Sequence, residues 1–243
     1  MNLELLLNEI LLDLFDYFDG IDLLHAFYDL NLRFNFLLYN ESRMYRFTFC
    51  SMLKRDFHMI CQQHLLVITD RVIRLSLSEH EGTPKQINLF DSYLLSFSKF
   101  IQLRSFSIND ARSYKILVKI TDECHHLCNL VHLNFYNCSL EDNQADFQLI
   151  VKSIWSFSKL VHYNFNIDIK GKNIVNETFF DQLIPSYIRL PNIEYLWIKL
   201  PTNEQLWSIV PSLNRLYLLT VVSYIDTFQS QLKALLNRAP RLR

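Results

Sequence analysis

Between residues 44 and 218 the chain returns seven times to one pattern, Φ-x-x-Φ-x-Φ, in which Φ is an apolar residue. The copies occupy 44–49, 72–77, 103–108, 130–135, 160–165, 193–198 and 213–218, and each is followed by a helical or irregular stretch. Apolar residues alternating with polar ones mark a strand with one buried face. The central positions 47, 75, 106, 133, 163, 196 and 216 are separated by 28, 31, 27, 30, 33 and 20 residues. A unit of this size cannot bury its apolar strand face alone, whereas parallel stacking of neighbours buries it continuously. The pattern therefore predicts a parallel-strand solenoid of α/β class. Intervening helices, such as one carrying Phe57, Ile60, Cys61, His64 and Leu65 on a single stripe, would cover its other side.

Before residue 44 the period is different. Ile10, Leu11, Leu14, Phe15 and Phe18 recur at the three-to-four spacing of a helical stripe. Asp19-Gly20 reads as a turn, Asp22 as the cap of a second helix carrying Leu23, Leu24 and Phe27, and Leu30, Phe34, Leu37 and Leu38 as a third. A three-helix motif this small exposes too many of its large apolar residues unless something covers them.

The repeat at Leu130, Leu133, Phe135, Cys138 and Leu140 fills a whole leucine-rich-repeat consensus, and the period fits that repeat class. Two markers recur with it: Pro-x-Φ at 191–193 and 211–213, and Phe-Ser-Lys-Φ at 97–100 and 157–160. Pro240-Arg241-Leu242 begins the first marker again. The expectation is a repeat domain over 41–243 that is truncated at its C-terminal end and self-associates through an open last strand.

Composition removes several function classes. Only Gly20, Gly82 and Gly171 occur, too dispersed for a phosphate-cradling loop. Residues 1–32 hold seven acids and no Lys or Arg, leaving 24 basic against 18 acidic residues elsewhere. That excess is spread thinly, without a basic helix, which argues against nucleic acid. Each apolar run long enough to cross a bilayer is broken by charge, and Glu4 and Glu9 stand where a signal peptide would be basic, so the reading is an intracellular protein. The five cysteines lack framework spacing and read as free buried thiols. Cys124-His125-His126-Leu127-Cys128 has no convincing second ligand pair, so neither a metal nor a cofactor is assigned. No nucleophile elbow, metalloprotease run or catalytic carboxylate pair stands out, and the chain is read as non-enzymatic.

Leu6-Leu7-Asn8-Glu9-Ile10-Leu11, Leu14-Phe15-Asp16-Tyr17-Phe18, Asp22-Leu23 and Arg33-Phe34 together resemble the F-box. Leu7 stands where that family has proline. The resemblance spans residues 5 to about 40 and, with the repeats behind it, is similar to F-box/leucine-rich-repeat proteins. It implies a helical motif over 1–40 that docks onto the adaptor subunit of a cullin–RING ubiquitin ligase through Leu6, Leu7, Ile10, Leu11, Leu14 and Phe15. The repeats would then bind a protein substrate. The alternative is a repeat scaffold in which the helices are only a cap.

Strand alternation also places the partner face. Residues flanking the buried positions point to the concave side. These are Arg74, Ser76, Ser105, Ser107 and Asn109, then His132, Asn134, Tyr136, His162, Asn164 and Asn166, then Tyr195, Trp197, Lys199, Arg215 and Tyr217. His132 and His162 are expected on neighbouring strands, about 5 Å apart.

Overall fold

The computed structural model describes residues 3–50, 52–79, 85–93, 96–141, 153, 157, 160, 162–170, 195–200, 218–223, 233, 236, 237 and 239. It is a mixed fold of helices and parallel strands. Three helices lead: α1 (Asn8–Phe15), α2 (Gly20–Phe27) and α3 (Leu32–Phe36), the last continuing as a π-helical turn through Leu37–Glu41. Then come β1 (Tyr45–Thr48), α4 (Lys54–Met59), a second π-helical segment (Ile60–Leu65), α5 (Leu66–Ile68), β2 (Val72–Ser78), α6 (Gln86–Tyr93), β3 (Ser105–Asn109), α7 (Tyr114–Cys124), β4 (His132–Glu141), β5 (His162–Lys170), β6 (Tyr195–Leu200) and β7 (Leu218–Ser223).

The chain divides into two compact units, one of Met1–Phe106 with His126–Asn129 and one of Ser107–His125 with Leu130–Arg243. The N-terminal helices thus share a unit with the first strands instead of standing apart. In each unit the strands lie in chain order.

In the first unit, β1 runs parallel to β2 with Phe47 opposite Leu75, the register the repeat centres predict. Tyr45, Phe47 and Phe49 alternate inward along the chain, and their rings stack at 5.9 and 5.5 Å. Phe57 and Phe90 close on Phe49, and Phe97 bridges Phe90 to Phe106, so the core is a row of aromatic rings. Phe57, Ile60, Cys61, His64 and Leu65 all turn into it, as the stripe predicts. Gln86, which the apolar pattern does not single out, is also buried. Its Nε2 donates to the Phe49 carbonyl at 2.8 Å and its Oε1 accepts from the Ser78 amide at 3.0 Å, satisfying backbone groups at the ends of two strands.

The second unit holds a four-stranded parallel sheet, β4-β5-β6-β7. Leu133 lies opposite Tyr163, and Tyr163 opposite Leu196, again as the repeat centres predict. Leu130, Leu133, Phe135 and Cys138 are buried, with the Cys138 thiol directed at the Ile108 carbonyl. Helix α7 covers them with Ile116, Leu117, Ile120 and Cys124. The β4–β5 register shifts between Phe135 and Cys138, where Asn137 takes φ 52. Asparagine tolerates that left-handed backbone.

Two expectations are corrected. Asp19, not Asp22, caps α2: its side chain accepts from the Ile21 amide at 3.0 Å, and Gly20 is the first helical residue. The last strand is in register three residues later than expected, with Leu219 instead of Leu216 opposite Leu196. The Pro-x-Φ markers at 191–193 and 211–213 and the chain end at 240–243 lie outside the described residues.

Candidate protein-interaction surfaces

The N-terminal helices present apolar residues on two sides. The inward side is settled by ring packing: Phe15 meets Phe27 at 4.8 Å, and Phe27 meets Phe34 at 5.5 Å. Leu11 and Phe15 are 0 and 2% exposed, so they support the bundle and offer nothing to a partner, contrary to the docking set that the resemblance implies. Leu6 and Leu14 are half-buried. Leu7 and Ile10 are 66 and 48% exposed, and Leu5, Leu30, Leu32 and Phe36 are open to solvent as well.

Arg33 organises this surface. Its Nε donates to Asn8 Oδ1 at 2.8 Å, its Nη1 to the Glu4 carbonyl at 2.6 Å, and its Nη2 to the Leu6 carbonyl. Asn31 Nδ2 adds a bond to Glu4 Oε1 at 2.9 Å. One guanidinium therefore ties the entry segment to the start of α3 and fixes Leu5 and Leu7 where they project outward. Leu7 precedes α1 with an extended backbone and no side-chain cap, and the Arg33 clamp supplies the rigidity that a proline would bring there. The motif match contains Arg33, but its three acceptors lie 25–29 residues away, beyond any local pattern.

The junction between the helices and the first strands is built from rings and polar atoms. Tyr39, in the first π-helical turn, is hydrogen-bonded to His64 Nδ1 in the second, and Tyr28 stands edge-on to His64 at 4.5 Å. Tyr45 donates from its hydroxyl to the Leu38 carbonyl. Burial, reinforced by nearby His25, holds His64 below its ordinary value of 6.5, while burial pushes the Tyr39 hydroxyl up to about 12.

Of the predicted partner face, Arg74, His132 and Tyr136 are exposed and Asn109 and Asn134 are half-buried. Among the described residues, Asn134 Oδ1 is buried without a hydrogen-bond partner. His132 pairs in backbone register with His162, and Asn134 with Asn164. Tyr195 and Trp197 extend those columns as the register partners of His162 and Asn164, while Lys199 pairs with Val222. Arg215 and Tyr217 lie outside the described residues, and the shifted register puts Leu218 and Thr220 opposite Tyr195 and Trp197.

The cysteine–histidine run disperses. Cys124 is buried, but Cys128 is exposed and not the buried thiol expected, and His125 stacks on Phe157 at 4.4 Å. Among the described residues no helix is long and apolar enough to cross a membrane. Compared with known proteins, the chain matches no family model and no curated sequence.

Proposed function

We propose that this chain is a non-catalytic protein-interaction adaptor, the substrate-recognition subunit of a cullin–RING ubiquitin ligase working in the cytoplasm or nucleus. Its N-terminal helices take the adaptor subunit, and an irregular leucine-rich-repeat horseshoe takes the substrate. The carrying observation is the outward apolar side of α1 and its entry segment, with Leu5, Leu7 and Ile10 exposed beside a bundle whose own core is already filled by Leu11, Phe15, Phe27 and Phe34. Covering such side chains is worth roughly 1–3 kcal/mol each, a strong drive toward a helix-in-groove partner. The repeat reading is supported by parallel strands in chain order within each unit and by repeat centres that meet in register. A plain repeat scaffold would leave the N-terminal apolar side without a role.

The test is co-expression of the full chain with the ligase adaptor subunit. The adaptor co-purifies with the wild-type chain in this account, and a Leu7→Glu/Ile10→Glu variant elutes without it. Wild-type chain that emerges free of adaptor favours the scaffold reading.

A further inference from the structure

Arg46 and Arg74 are register partners on the neighbouring parallel strands β1 and β2. Adjacent strands lie about 4.8 Å apart. Both residues flank inward positions, Phe47 and Leu75, and so share the polar face of the sheet. Like charges directly opposite on a sheet are destabilising unless something neutralises them. Among the described residues neither forms an ion pair; the described salt bridges are Arg55–Asp56 and Arg71–Asp70. Arg46 is instead oriented from behind, its Nη1 donating to the Asp16 carbonyl at 2.6 Å. That leaves its other N–H groups for an outside acceptor, and Arg74 is exposed beside it. The next residues along the same face, Thr48 and Ser76, are themselves register partners and carry neutral hydroxyls.

We propose that this face binds an acidic, extended peptide segment of the protein partner, with Arg46 and Arg74 each gripping one carboxylate. Alternate side chains of an extended peptide point the same way about 6.6 Å apart, a distance that two long arginine arms rooted on adjacent strands can span. Each guanidinium offers paired N–H donors matched to a carboxylate. The grip has a boundary. A groove lined by Asp19, Asp22, His25, Thr48 and Asp56 begins past Arg46 on β1, so the acidic segment lies toward Arg74 and away from that groove. The inference rests on the reading that the polar strand face receives the substrate, and it names that substrate's chemistry.

The test is fluorescence anisotropy on the full chain, with a short labelled peptide alternating Glu and Ser and a twin carrying Gln for Glu. The acidic peptide binds, weakening as salt rises, and the Gln twin does not. Arg74→Gln weakens binding about tenfold, the loss for one charge-assisted hydrogen-bonded contact, and Arg74→Glu abolishes it. Equal binding of the two peptides, or unchanged binding to Arg74→Glu with a native circular dichroism spectrum, overturns the proposal. So does a chain that ignores the peptide but self-associates until Arg74→Glu makes it monomeric, because the occupant would then be the acidic helices of a second copy. Adaptor capture is measured on the same samples. Peptide binding absent with capture intact rejects this inference alone, and the reverse result rejects only the ligase reading.

Discussion

Gly20 lies so close to Phe47 that a β-carbon on it would stand 2.7 Å from Phe47 Cε1 and 3.0 Å from the Arg46 carbonyl oxygen. The ring has little room to retreat, since it is stacked between Tyr45 and Phe49 and wholly buried. The N-terminus of α2 is therefore seated on β1, within one compact unit. Gly20→Ala is expected to cost about 1–3 kcal/mol as an overpacking change, read as a lower midpoint in thermal melts. In a Phe47→Leu background, where the clashing ring edge is gone, the same substitution should cost less than it does in the wild-type chain. An unchanged midpoint for Gly20→Ala would show that the helix can move away from the strand.

Gln86 offers a second check on the same unit. Replacing it with Met keeps its length but leaves the Phe49 carbonyl and Ser78 amide without their side-chain partner. A loss of about 1–3 kcal/mol in denaturant titrations is expected, the cost of orphaned buried polar groups. Gln86→Met as stable as wild type would mean that water reaches both groups.

How much of this was legible depends on the range of the signal. The strands were, because alternation is local: the centres at 47 and 75, and at 133, 163 and 196, meet in register as read. The last repeat slipped because its apolar run fits two frames. Leu213, Leu216 and Leu218 satisfy the pattern, and so do Leu216, Leu219 and Val221, and it is Leu219 that meets Leu196. At the N-terminus, apolar residues at 5, 6, 7, 10, 11, 12, 14 and 15 wrap most of the helix, so spacing alone does not say that Leu11 and Phe15 face inward while Leu7 and Ile10 face out. The Arg33 clamp, the Tyr39–His64 bond and the reach of Gln86 to Phe49 join residues 25–37 apart, and only the folded chain brings them together.

His64 makes stability depend on pH. Its imidazole is held neutral below the ordinary value of 6.5, so the unfolded chain binds that proton more readily than the folded one. Stability is then lost as pH falls below about 6.5 and is independent of this group well above it. The midpoint of wild-type melting should drop further between pH 7.5 and 5.5 than that of His64→Phe. Parallel curves for the two proteins would place the pH sensitivity elsewhere.

The thiols should separate by burial. Cys128 is exposed and Cys50 half-buried, while Cys61, Cys124 and Cys138 are inside. Burial pushes the Cys61 thiol up to about 12 and also raises Cys124, so neither supplies thiolate at neutral pH. With a thiol-reactive disulfide reagent, Cys128 reacts fast, Cys50 more slowly, and the other three only on unfolding. Early modification of Cys61, located by peptide mapping, would show that the helix layer opens.

The central claim is that the outward apolar side of the N-terminal helices is a docking surface, and calorimetric titration of the full chain with purified ligase adaptor tests it most directly. The account predicts saturable one-to-one binding with a negative heat-capacity change, the mark of apolar burial. It also predicts a loss of at least about thirtyfold in Leu7→Glu/Ile10→Glu, since two apolar anchors of roughly 1–3 kcal/mol each are removed, and no change in Arg74→Glu. No heat with the wild-type chain, or equal affinity for wild type and the double variant, would contradict it.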